Sequence, residues 1–306
     1  MDYLVMRLYA PLSSWGTMAT GGDRSTNDYP TRGAILGLIG AALGIRRDDQ
    51  EQQQALASSI GMASKTYSRG TILRDFHTIQ TASTTKGQRL HTRRQELQSE
   101  NLETVLSSRD YREDGLWVIA IWLKQDAGKA QDHGFDLPVI KHALTHPKFT
   151  LYLGRKSCPL AMPLVPNIVT AENLKQALDT PLDSLLPVNQ DGHNYRVNEL
   201  LYRTVSDRYL PTETTMLRDE SLDEGVSATR HRQVVYHWEG SRDDFFGTTP
   251  TEDADRVFTH KHWDEPIDRK QWQFTQRIGH EWTAFEPLVP LADSMKSTNI
   301  TTDELI

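Results

Sequence analysis

Cations set beside glycines, with an aromatic nearby, recur through the first half of the sequence, and this is a combination that suits a phosphate chain. Gly154-Arg155-Lys156-Ser157 places a glycine turn before two cations and a hydroxyl, which fits a bent backbone cradling a phosphate. Thr31-Arg32-Gly33 opens a glycine-rich apolar run. A helix starting there presents unpaired N–H groups and a positive dipole end to an anion. A capped helix with a solvated Arg32 is the plainer reading of the same residues. Trp15-Gly16 offers a ring to stack on a base and a glycine that lets the chain approach it, but a buried core tryptophan fits as well. Arg74 and His77 fall in a strand-like stretch whose alternation would send them to different faces, leaving one of them for a structural role.

The charge distribution points the same way. The chain of 306 residues carries a net charge of −7, yet Ser64 to Arg94 holds seven Lys or Arg and one acid, leaving −13 on the rest. A basic island in an acidic chain is a candidate phosphate-binding surface, or else a solvated loop. His260, His262 and Asp264, with His231 and His237 near in sequence, invite a metal reading, since histidines two apart on a strand can share an ion. No Cys pair or HExxH pattern supports it, so an exposed histidine cluster is preferred and no metal is expected. No Walker loop or GxSxG motif is present, and no cofactor is expected. Cys158, the only cysteine, excludes an intramolecular disulfide and fits a reducing cytoplasm; beside Pro159 it reads as a packed small residue. No apolar run reaches about twenty residues, and the N-terminus lacks the pattern of a signal peptide, so no membrane span is expected.

These residues need elements to hold them. Tyr3–Tyr9 reads as a central first strand, and Thr31–Gly44 as a helix with Thr31 as N-cap. Gly33, Gly37, Gly40 and Gly44 share one face, predicting a helix that lies close on a sheet. Asp48–Ile60 reads as a polar helix, Thr71–Gln80 as a strand, and Lys86–Ser108 as charged and irregular. Gly115–Leu123 is continuously apolar and reads as a fully buried strand. Leu137–Leu144 and Ala171–Leu178 are short helices around a loop at Tyr152–Pro166. The order suggests an α+β fold of the ferredoxin or RRM kind. After Pro211 acids dominate; Gly240–Asp255 reads as an exposed insertion, while Val234-Val235-Tyr236, Trp272, Phe274, Trp282 and Phe285 predict docking on the body.

Four stretches in order resemble the CasD family, the fifth-class Cas subunit of type I-E Cascade complexes. They are Ala10–Gly16 after the first strand, Tyr29–Gly40 running on to Leu43–Asp49, Leu73–Thr78, and Tyr152–Leu160. The resemblance covers roughly residues 1–170. It implies an RRM/ferredoxin-like RAMP domain over 1–210, a long β-hairpin thumb near 83–111, and a C-terminal extension over 211–306. It implies a non-catalytic subunit that grips the 5′ handle of crRNA and caps the CasC backbone filament, with the large subunit CasA and target DNA near the complex as further partners. On that picture Trp15, Gly16, Thr31, Arg32, Gly33, Arg74, His77, Gly154, Arg155, Lys156 and Ser157 bind RNA. Arg89, Arg93 and Arg94 in the thumb, and Arg109 on its returning arm, bind RNA or the neighbouring CasC. Some relatives cut precursor RNA with a Tyr/Lys/His set. Tyr29, Lys141 and His142 can be cast in those roles as an endoribonuclease alternative, although nothing in their spacing brings them together.

Overall fold

The computed structural model describes residues 1–17, 19, 22–83, 90–98, 101–124, 134–180, 214–215, 231–247, 256–268 and 273–287. The expected boundary at residue 210 lies outside them, as do residues 84–89, which include Arg89, and 99–100 of the thumb expected near 83–111. In chain order come β1 (Asp2–Tyr9), the short β2 (Leu12–Ser13), β3 (Trp15–Gly16), β4 (Asp23–Arg24) and β5 (Thr26–Asn27), then α1 (Arg32–Leu43) and α2 (Gln50–Ser59). They are followed by β6 (Ile60–Ser68), β7 (Thr71–Ala82), α3 (Arg93–Leu97), β8 (Leu102–Glu113) and β9 (Leu116–Leu123). The remainder is α4 (Leu137–Thr145), β10 (Asn167–Thr170), α5 (Leu174–Leu178), β11 (Thr214–Thr215), β12 (His231–Trp238), α6 (Arg242–Phe246), β13 (Phe258–Asp268) and β14 (Gln273–Pro287).

The fold is mixed α/β with mostly antiparallel pairing. The principal sheet runs β10-β1-β9-β6-β12-β14-β13, antiparallel throughout, with β11 alongside β12. Its alternating side chains build two cores, as period-two geometry requires. Leu4, Met6, Leu8, Trp117, Ile119 and Ile121 face α1 and α4. Tyr3, Val5, Val118, Ala120, Val234, Tyr236 and Trp282 face the other way, under α5 and α6. Strand β1 is therefore interior, and β9 is buried on both faces, as its unbroken apolar run predicts. Among the described residues no helix is long and apolar enough to cross a membrane.

Three expectations change. Glycine does not bring α1 down onto the sheet: a Cβ built at Gly33 or Gly37 would meet nothing within 4 Å, because both lie on the outer face. Ile35, Leu36, Leu38 and Ile39 bury the inner face instead. Gly44 is the residue with a conformational duty, ending α1 at φ 82° while the Ile45 N–H returns to the Gly40 carbonyl at 2.8 Å. The stretch read as irregular contains α3 and most of β8. The pairing of β7 with β8 runs from Thr71↔Glu113 to Ala82↔Leu102, and the outer part of β8 is exposed on both faces, so no polar–apolar alternation marks it. Finally, the described part of Gly240–Asp255, which ends at Gly247, is not simply exposed. Ser241 caps α6 in a capping box, and Phe245 is fully buried against Trp238, 4.1 Å between ring centroids.

Candidate nucleic-acid interface

The base of the β7–β8 ladder gathers cations from four separate stretches. Strand β8 is flanked there by β7 on one edge and by β2 and the parallel β4 on the other, with Arg24 opposite Arg109. Asp110, 6% exposed, is the anchor. It accepts from Arg74 Nε at 2.7 Å and from Arg74 Nη2 at 3.0 Å. The Asp110 carbonyl accepts from Arg155 Nη1 at 3.1 Å and from the Ser14 hydroxyl at 3.1 Å. Arg155 also donates to the Arg24 carbonyl at 2.9 Å, and its guanidinium stands 4.8 Å from the centroid of the Tyr111 ring. Arg112 Nε donates to the Asn27 carbonyl at 3.2 Å. Arg109 Nε is buried with no hydrogen-bond partner among the described residues, whereas Lys156 and Ser157 are exposed.

Glycine is required where the Arg155 loop meets this base. Gly154 sits at φ 84°, and a Cβ there would lie 1.8 Å from the Ser14 carbonyl oxygen. The Ser14 N–H donates to the Leu153 carbonyl at 3.1 Å, so the Ala10–Gly16 and Tyr152–Leu160 stretches are fastened together despite some 140 residues of separation. Gly16 is exposed beside that fastening.

The electrostatics favour an ionised Asp110 among hydrogen-bonded cations. The hydrogen bonds from Arg74 hold the Asp110 carboxyl below the usual aspartate range against the opposing effect of its burial, and the Arg155 and Arg112 charges act with Arg74. The folded chain therefore binds this proton more weakly than the unfolded chain. The pair contributes full stability above the ordinary aspartate value of about 4 and loses it as pH falls through the lowered folded value. Acid unfolding followed by tryptophan fluorescence should show a shallower slope in that window for Asp110→Asn than for the native chain. An identical slope would deny the pair its role.

The expected site residues divide. Gly16, Arg74, Arg109, Gly154, Arg155, Lys156 and Ser157 are brought to the ladder base or its adjoining loop. Trp15 is not available to a base: it is 1% exposed and packs edge-on to Trp117 at 5.1 Å. Arg32 is not a phosphate ligand either. It is 2% exposed because its guanidinium turns inward to the Ile60 and Ala57 carbonyls and to Glu239, at 2.8 Å for the shortest carboxylate contact. Thr31 precedes α1 without a side-chain cap bond, and Gly33 is exposed on its first turn. His77 lies 2.5 Å from Asp75 on the face opposite to Arg74. Arg93 is held by Glu96 at 2.6 Å and by the Gln80 carbonyl, while Arg94 is exposed.

Phe76 was missed although it lies in Leu73–Thr78. It is 76% exposed, on the Arg74 face, diagonal to Leu106 at 72%. Two apolar side chains left in water between cations are the available signal, and sequence alone does not report exposure. Arg24 and Asp110 were also missed, because nothing local marks a carboxylate that organises distant arginines.

The residues of the alternative readings do not converge. Lys141 reaches Asn167 at 3.4 Å, His142 stacks on His146 at 4.8 Å, and Tyr29 stacks on His237 at 3.7 Å. Burial pushes the Tyr29 hydroxyl up to about 12. His260 faces Glu281 at 3.4 Å and Asp264 is engaged by Arg277 at 2.7 and 2.8 Å. Among the described residues no three His, Cys, Asp or Glu side chains are placed to share a metal.

The family model described as CRISPR-associated protein (Cas_Cas5) matches residues 3–239. The chain belongs to the Cas5 family. Among the curated relatives of this Cas5 chain is the CRISPR system Cascade subunit CasD of Escherichia coli (strain K12), 34% identical over 186 residues, spanning 58% of this chain and 75% of that one. Among solved structures, a chain of a CRISPR RNA-guided surveillance complex superposes with a TM-score of 0.52 at 20% identity, covering 96% of both chains. That superposition shows a shared fold. The Cas5 match spans the ladder base, both fastened stretches and β12, so the cation cluster lies wholly within the family region.

Proposed function

We propose that this Cas5 chain is a non-catalytic subunit of a type I-E-like CRISPR surveillance complex that holds the 5′ handle of crRNA, caps a CasC backbone filament beside CasA, and acts near target DNA. The observation that carries this reading is the gathering of Arg24, Arg74, Arg109, Arg112 and Arg155 around the base of the β7–β8 ladder, Arg74 and Arg112 on one face and Arg109, opposite Arg24, on the other. A single RNA strand needs cations for its phosphates and flat or apolar surfaces for its splayed bases. Phe76 and Leu106 supply the second on the ladder face that carries Arg74 and Arg112. The named function of the E. coli relative as a Cascade subunit supports the assignment to such a complex.

Topology supports the finer fold reading. Strands β1, β6, β9 and β10 with α1 and α4 follow the order β-α-β-β-α-β and lie as β10-β1-β9-β6, which is the ferredoxin-like arrangement. The β7–β8 ladder is then an insertion between its second and third strands, in the position of a thumb. The sheet face opposite α1 and α4 is filled by α5, α6, Tyr236 and Trp282, so RNA is assigned to the ladder base rather than to the sheet. The test is photo-crosslinking of a guide RNA carrying 4-thiouridine in its handle, with the crosslinked peptides mapped.

A further inference from the structure

The segment Thr26–Arg32 is tied at one end to the cation cluster and at the other to the C-terminal strands. At the near end, the Thr26 hydroxyl accepts from the Trp15 N–H at 2.8 Å, and β5 pairs with β3 as Trp15↔Asn27 and Gly16↔Thr26. The Asn27 carbonyl takes Arg112. In the middle, the Asp28 carbonyl accepts from Trp117 Nε1 at 3.0 Å while its carboxylate meets Arg69 at 3.2 Å. At the far end, Tyr29 stacks on His237 of β12, and Arg32 binds Glu239, the residue following β12. Glu239 is 8% exposed and sits among three cations, with Arg277 at 3.6 Å and Lys124 at 3.9 Å besides Arg32. Nearly every residue of the strap is thus fixed, and the two anchors are some 200 residues apart in sequence.

We propose that His237 and Glu239 are positioning residues for the RNA surface, acting through this strap on Gly16 and Arg112. The inference rests on the RNA-holding reading above. It also explains what the C-terminal sheet contributes to RNA binding. Strand β12, fixed to β6 by four residue pairs and to β14 by eight, is a stiff mount for the loop that shapes the cradle. Neither side chain is open to a phosphate, His237 exposing 13% of its side chain and Glu239 10%. His237 is largely covered by Tyr29 and lies 3.4 Å from Glu281, and Glu239 is an anion. Their influence on RNA is therefore indirect, and this separates them from Arg112.

Two variants test it: Glu239→Gln, which keeps the shape but removes the charge and one of the two acceptor oxygens facing Arg32, and Tyr29→Leu, which removes the stack. Hydrogen exchange of the free chain should speed up by about tenfold at the Trp15–Gly16 and Asn27–Tyr29 amides, with β1 and β9 amides unchanged, since local loosening differs from global unfolding. Affinity for single-stranded handle RNA should weaken by about five- to tenfold, with the slope of log affinity against log salt unchanged, because no phosphate contact is lost. Glu239→Asp should recover part of the affinity. The proposal is overturned if strap exchange does not change in either variant, if affinity is unaffected by a loosened strap, or if the slope falls by about 0.7, the mark of a direct contact. Should the native chain bind no RNA while strap exchange still responds, the RNA reading fails, the role given to Glu239 falls with it, and only the mechanical link remains.

Discussion

Replacing Arg32 with alanine is expected to destabilise the fold by about 3–5 kcal/mol, the range for removing one partner of a buried ion pair. The side chain contacts water with only 2% of its surface and places its donors on two carbonyls and one carboxylate. Its loss strands the Ile60 and Ala57 carbonyls and weakens the surroundings of Glu239. Arg277 and Lys124 remain within 4 Å of that carboxylate, which places the loss toward the lower end of the range. Lysine at the same position keeps the charge but cannot make the forked contact, so an intermediate loss is expected. Urea unfolding followed by tryptophan fluorescence measures both. A loss below about 1 kcal/mol, the median for an exposed pair, would mean that Arg32 is solvated and open to other partners. The same residue taken as a phosphate ligand would show the opposite pattern, with native stability and weak RNA binding.

Removing Arg24, Arg109 and Lys156 together should do what Arg32 does not. The described side-chain contacts of the fold do not depend on these three, so the triple alanine variant should unfold close to the native midpoint. Each phosphate neutralised on a single strand adds about 0.7 to the slope of log affinity against log salt, so the slope should fall by about 2. At about 1 kcal/mol for each lost contact, affinity should drop roughly 10²-fold. Arg155 is better left in place, because its guanidinium braces the Asp110 and Arg24 carbonyls, and its removal would disturb the cradle as well as its charge. Filter binding across a several-fold range of salt concentration gives the slope. An unchanged slope would place the RNA elsewhere on the chain.

The comparison of Arg32 with Arg155 also shows what the sequence can reveal. Both stand next to glycine in stretches that resemble CasD, and both present the same chemistry on paper. Burial separates them, and burial depends on Glu239, some 200 residues away from Arg32. Apolar runs travel well from sequence to structure: β1, β9, α1 and α4 are legible because continuous or periodic hydrophobicity dictates where they lie. The β8 strand is not, since a ladder exposed on both faces has no reason to alternate. Trp15 illustrates the same limit: its partner Trp117 lies in the most apolar strand, and a ring that can stack on a base can equally fill a core. Asp110 escapes notice because its value lies in arranging Arg74 and Arg155, neither of which is near it in sequence.

The position of the guide RNA on the surface is the most direct measurement. With 4-thiouridine placed along the 5′ handle of an assembled complex, crosslinked peptides should come from Asp23–Arg24, from Phe76 with its neighbours on β7, from Arg109–Arg112, and from Gly154–Ser157. The Trp15 ring itself and the inner face of α1 should carry none. Crosslinks confined to the β12–β14 strands or to α4, with the ladder base silent, would contradict the placement of RNA at this cluster of arginines.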